Sequence, residues 1–109
     1  MINHDGTGPA PFRNDWDPSD VEYVWIAWDD ILRGATISDS SWTVPTGWTV
    51  EAEQMNAAVT DDDGNSYSAA NGALLSTTAT KGRHVFTNHV VLSDGREYER
   101  SVAVSVRQM

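Results

Sequence analysis

The last third of this chain leaves little choice of secondary structure. His84 to Leu92 and Glu97 to Val106 are two β-rich runs separated by Ser93-Asp94-Gly95-Arg96. In the second run Tyr98, Val102, Val104 and Val106 fall on one face, interrupted only by Arg100. Glu97, Glu99, Ser101, Ala103, Ser105 and Arg107 fall on the other. A period of two with one apolar side is what a half-buried sheet requires. Asp-Gly between two such runs marks a hairpin, and a primed turn with positive φ is its expected form. Nowhere does a 3.6-residue apolar period persist for three turns, so the pattern argues against a helical fold.

The rest of the chain reads in the same way. Val21 to Trp28 is a strand, apolar on both faces in its second half, as expected between two layers. Asp29 to Gly34 is a turn with room for one helical turn, and Ala35 to Val44 is strand-like. Pro45-Thr46-Gly47 turns into a strand opening at Trp48-Thr49-Val50, whose end at Thr60 is closed by Asp61-Asp62-Asp63-Gly64-Asn65. Ala73 to Thr80 is a further strand. About seven short strands in ~90 residues predict an all-β, immunoglobulin-like β-sandwich over residues 20–109. Residues 1–19, with Gly6, Gly8, Pro9, Pro11 and Pro18, can form neither helix nor central strand and read as an extended N-terminal arm. Phe12 and Trp16 lie in that arm, and a solvated tail has little use for such side chains, so Trp16 is expected to land on a surface, its own or a neighbour's.

A chain of 109 residues holds one core, and without cysteine that core packs with no disulfide, thiolate nucleophile or Cys-ligated zinc. No apolar run approaches the ~20 residues of a membrane span, and the amino end (Asn3, His4, Asp5) is too polar for a signal peptide, so a soluble protein made inside the cell is expected. The net charge of −9 is unevenly spread. Residues 1–80 carry 13 acids against Arg13 and Arg33; residues 81–109 carry five bases against three acids. The acidity argues against nucleic acid and anionic membranes as partners, because both need a basic footprint. The split admits ordinary solvation, or acidic and basic ends that meet between neighbouring copies or partners.

Residues with chemical potential are scattered. His84 and His89 are five apart on one strand, so they point to opposite faces and cannot share a metal. Asp61, Asp63 and Asn65 have the spacing of a calcium loop, but Gly64 comes one residue early and position 72 is Gly72 where an acid should close the loop. Asp29/Asp30 and Glu51/Glu53 read as exposed acids rather than a glycosidase pair. No catalytic residue, cofactor or metal site is expected. Five tryptophans, Trp16, Trp25, Trp28, Trp42 and Trp48, are more than a small sandwich can wholly bury. They line a broad core, form a protein interface or make a sugar-stacking platform, with Trp25 and Trp48 the candidates for the last.

The order of these pieces resembles the phage fibre–tail adaptor proteins, small components of tailed bacteriophage virions. The likeness rests on Asp17-Pro18-Ser19-Asp20 leading to Val24-Trp25-Ile26-Ala27-Trp28, on Gly34-Ala35-Thr36-Ile37 followed by Ser41-Trp42-Thr43-Val44-Pro45-Thr46-Gly47, and on Asp94-Gly95-Arg96-Glu97-Tyr98-Glu99-Arg100-Ser101. It covers roughly residues 17–107. It implies a non-enzymatic immunoglobulin-like module of the virion tail that joins fibres to the tail body, with other tail proteins as partners and a homo-oligomeric ring as the assembly. Phe12, Trp16, Trp25, Trp48 and Arg107 are the expected contact residues. Trp28, Trp42, Tyr98 and Val104 are assigned to the core, and Asp94 to Arg100 to the hairpin. Another virion position (head–tail connector or capsid decoration) and a carbohydrate-binding module are the alternatives.

Overall fold

The computed structural model describes residues 2–4, 12–60 and 64–107. They form eight strands: β1 (Ile2–His4), β2 (Phe12–Trp16), β3 (Glu22–Ala27), β4 (Ile37–Thr43), β5 (Trp48–Thr60), β6 (Ser66–Thr77), β7 (Lys81–Leu92) and β8 (Glu97–Arg107). A single 3-10 turn, Asp29–Ile31, follows β3. Two four-stranded sheets face each other, in the orders β1-β3-β6-β5 and β2-β8-β7-β4. Pairing is antiparallel except at two edges, where β1 runs parallel to β3 and β2 parallel to β8. With β1 and β2 counted as one leading strand serving both sheets, this is the immunoglobulin-like order expected from the strand pattern.

Alternation places the core. Val24 and Ile26 of β3 and Ala73 and Leu75 of β6 meet Phe86, Val90 and Leu92 of β7 and Val102, Val104 and Val106 of β8. All ten are buried. Trp28 is buried among them, and Trp42 and Tyr98 pack against them half-buried, as expected.

Two expectations change. Phe12–Trp16, read as the end of an arm, is an edge strand of the sandwich, with Phe12 opposite Ala103 and Trp16 opposite Val106. Trp16 is fully buried and meets Trp48 edge-on at 5.3 Å. Its indole hides roughly 150–250 Å² from water inside the sandwich, which draws the segment onto β8. Residues 5–11 of the expected arm lie outside the described residues. The β7–β8 turn is also not a primed one. Gly95 N donates to Leu92 O at 3.0 Å and Leu92 N to Arg96 O at 2.8 Å. Only the glycine has positive φ, +91°. This is the three-residue loop in which an ordinary turn ends on a left-handed glycine.

β5 is the long outer strand of its sheet. Its register against β6 slips between Val50 and Ala52, between Gln54 and Ala57, and between Ala57 and Val59. At the second slip Asn56 adopts φ +57°. Its side-chain amide donates to Ile37 O at 3.1 Å, tying β5 to β4 across the open side of the sandwich.

Candidate functional site

The signature at the start of β8 is built to hold its own fold. Asp94 accepts from Arg96 N at 3.2 Å and from Arg96 Nε at 2.8 Å. The bonds from Arg96 hold the Asp94 carboxyl below its ordinary range, and Asp94 with Tyr98 raises the guanidinium in turn. So oriented, Arg96 donates to Ile31 O at 2.8 Å, at the end of the 3-10 turn, and to Leu32 O at 2.7 Å, which also accepts from Ala35 N. Arg100 grips the same segment from the inner face of β8. It donates to Ala27 O at 2.7 Å and to both Asp30 oxygens at 2.8 Å, and lies 4.5 Å from the Trp28 ring centroid. The charge that interrupts the apolar face of β8 is thus a fork whose donors and flat face are both used.

Asp29, beside Asp30, is occupied too. It accepts from Ser68 N and Ser68 Oγ at 2.9 Å and from Ala69 N at 3.0 Å. Partial burial pushes its carboxyl upward, but these bonds outweigh it and leave it below the usual value. The pair therefore staples the β3–β4 connection to β6 and β8 rather than flanking a substrate. Motif residues expected chiefly to set the hairpin also carry this clamp.

A buried polar network crosses between the sheets. Asn71 and Asn88 are completely buried. Asn88 Oδ1 accepts from Trp28 Nε1 and from Asn71 Nδ2, both at 3.0 Å, and Asn88 Nδ2 donates to Ser40 Oγ and Ser41 O at 2.9 Å. Asn71 Nδ2 also donates to Ser40 Oγ at 3.1 Å, while its Oδ1 accepts from Asn56 N at 3.2 Å. The sequence reading missed both asparagines. The one available signal was Asn88 at an inward position between Phe86 and Val90.

The expected contact residues divide. Trp25 is half-buried on the outer face of β3, stacked on Tyr23 at 5.2 Å and 23°. It lies across Gly72 of β6, where an added Cβ would stand 2.6 Å from the Trp25 ring. Glycine inside this strand therefore makes room for the indole. Arg107 is exposed at the end of β8. Trp16 and Trp48 are corrections: Trp48 is 7% exposed, packed edge-on against Phe86 at 4.6 Å and tilted over His84 at 5.5 Å. Neither offers a surface for an interface, because together they close the end of the core. A sugar platform from Trp25 and Trp48 is not formed, since one lies outside a sheet and the other inside. Phe12 is placed by its backbone alone, opposite Ala103.

The histidines lie apart, as their spacing requires. His84 Nε2 is 3.1 Å from Lys81 O on the inner side, and His89 is 3.0 Å from Glu97 on the outer side. Among the described residues no three His, Cys, Asp or Glu side chains converge on a metal position. The calcium-like stretch Asp61 to Asp63 lies outside the described residues.

What this arrangement defines is a small all-β structural module whose charged motif residues serve cohesion. The chain belongs to the family described as podophage GP4 fiber-tail adaptor protein gp77, which matches residues 17–105. Membership makes it a structural component of the phage tail. No curated protein matches it. Among solved structures it is similar to a cysteine protease inhibitor from Entamoeba histolytica, with 13% identity, TM-score 0.49, and 98% of this chain covering 94% of that one. It is also similar to the PKD domain of the KIAA 1837 protein, with 16% identity, TM-score 0.45, and 99% of this chain covering 89% of that one. A 2,6-sialyltransferase from Photobacterium sp. JT-ISH-224 matches over 94% of this chain and 19% of its own, at 16% identity and TM-score 0.44.

Proposed function

We propose that this chain fixes fibres to the tail body of a podophage, acting through protein contacts and without catalysis, in several symmetric copies arranged as a ring. The family match over residues 17–105 carries the reading. The structure supports it in kind: the signature's charged groups are spent on holding the β3–β4 connection, which leaves outer faces to meet partners. On this reading Trp25, with Tyr23 beside it, is an aromatic anchor for a neighbouring tail protein, and Arg107 a charged contact. Repetition around a ring converts a modest contact into a firm joint.

The test is a virion lacking this chain. Tails assembled without it should be bare of fibres, and adding the purified protein back should restore them, with Trp25→Ala restoring fewer. Fully fibred virions in its absence would overturn the proposal. Binding of Trp25 to glycans, read by tryptophan quenching, with no effect on fibres would favour the carbohydrate-binding alternative.

A further inference from the structure

The outer face of the β2-β8-β7-β4 sheet is divided by charge along its strands. At one end Lys81 and Arg107 stand opposite each other in the β7–β8 ladder, with Arg83 two residues on. At the other end Glu97 and Glu99 lie opposite Val91 and His89, and Asp39 of β4 lies opposite Val91 from the other side. All six charged residues are exposed. The ends are roughly 20–30 Å apart at ~3.3 Å per residue, well beyond the ~8 Å over which physiological salt screens, so they do not neutralise each other within one chain. Like charges facing across a ladder also cost the isolated sheet stability. Between the ends the outward positions of β7 and β8, Val85, Thr87, Ser101, Ala103 and Ser105, are uncharged. Thr87 and Ser101 are hydrogen-bonded at 2.8 Å, and Val85 beside them leaves 44% of its surface in water.

We infer that this face is a self-association surface, on which a second copy docks with its strands reversed about an axis near Thr87 and Ser101. That rotation sets Lys81 and Arg107 of each copy against Asp39, Glu97 and Glu99 of the other, and brings the small central side chains together. A partner satisfies both ends at once only if it carries opposite charges at the same spacing, and an identical copy does so by construction. Copies that each carry a net charge of −9 repel one another in most orientations. The face that sets Lys81 and Arg107 against Glu97 and Glu99 is where that repulsion is locally cancelled. This deepens the multi-copy assembly proposed above, making a pair of copies the repeated unit.

The experiment is sedimentation of the purified full chain over a concentration series reaching about 100 µM, at about 20 mM and about 500 mM salt. The wild type should self-associate at low salt and weaken at least about tenfold at high salt. Lys81→Glu with Arg107→Glu reverses the charge of the Lys81–Arg107 pair, and Glu97→Lys with Glu99→Lys reverses that of the two glutamates. Each variant alone should lose association at least about tenfold, while an equimolar mixture should recover it as a heteropair. A wild type that stays monomeric overturns the inference, as does association unchanged in both variants or a mixture that does not pair. Such a failure leaves the adaptor reading standing, because that reading is judged by fibres on virions.

Discussion

The two ends of the sandwich are held together by different means. Where β3 passes into β4, cohesion is polar: Arg96 and Arg100 clamp the connection, Asp29 staples it to β6, and Asn71 and Asn88 bridge the sheets. At the opposite end, where β2 enters and β5 begins, Trp16, Trp48 and Phe86 pack edge to face around the start of β7. Two indoles make the contrast concrete. Trp28 Nε1 donates to Asn88, whereas Trp48 Nε1 is buried with no acceptor among the described residues. The aromatic end gains by area and tolerates an idle donor. The polar end gains less per group but fixes which strand lies against which, because each amide is matched to particular partners.

Removing Trp48 should give the largest effect. Trp48→Ala strips the contacts to Trp16, Phe86 and His84 and should cost about 3–5 kcal/mol in urea unfolding, much of the stability of a domain this size. A cost below about 1 kcal/mol would show that the aromatic end is not the main reserve. Next comes Asn88→Ala, which orphans Trp28 Nε1 and a donor of Asn71, at about 1–3 kcal/mol for each buried group. A double-mutant cycle with Asn71→Ala should show strong coupling, and simple additivity would break the picture of one network. Arg100→Ala should cost about 2 kcal/mol through the lost charge-assisted bonds and the ring contact, with Arg100→Lys recovering less than half because ammonium cannot fork onto Asp30.

The smallest effect is a pH dependence. Asp29 has a carboxyl held below its ordinary 3.8. Its contribution is therefore complete above that value and is lost as pH falls through the lower folded-state pKa. The wild type should lose stability on acidification below about pH 4 more steeply than Asp29→Asn, measured by urea midpoints at each pH. Parallel curves would remove Asp29 from the polar end's account.

The same contrast explains what could be read in advance. The β7–β8 hairpin was legible because alternation is local, and Val102, Val104 and Val106 announce their face by spacing alone. The motif arginines were visible as a signature, but their targets were not, since Ile31 O and Ala27 O lie 65 and 73 residues away. Asn71 gives no local sign of burial, and Asn88 only its inward position between Phe86 and Val90, until two sheets are stacked. Trp16 and Trp48 read as contact residues because composition cannot tell how much area an edge strand brings with it. Of the contact residues, Trp25 and Arg107 sit outside the core, and Gly72 opposite Trp25 was an unread clue.

The uneven course of β5 matters most where copies are crowded together. A strand of thirteen residues on the rim of a sheet is an open template on which identical chains could zip into fibrils. Three slips in register, a left-handed Asn56 and exposed Glu51 and Glu53 spoil that template without any covering partner. A local concentration that would precipitate a flat-edged sandwich is one this chain can bear.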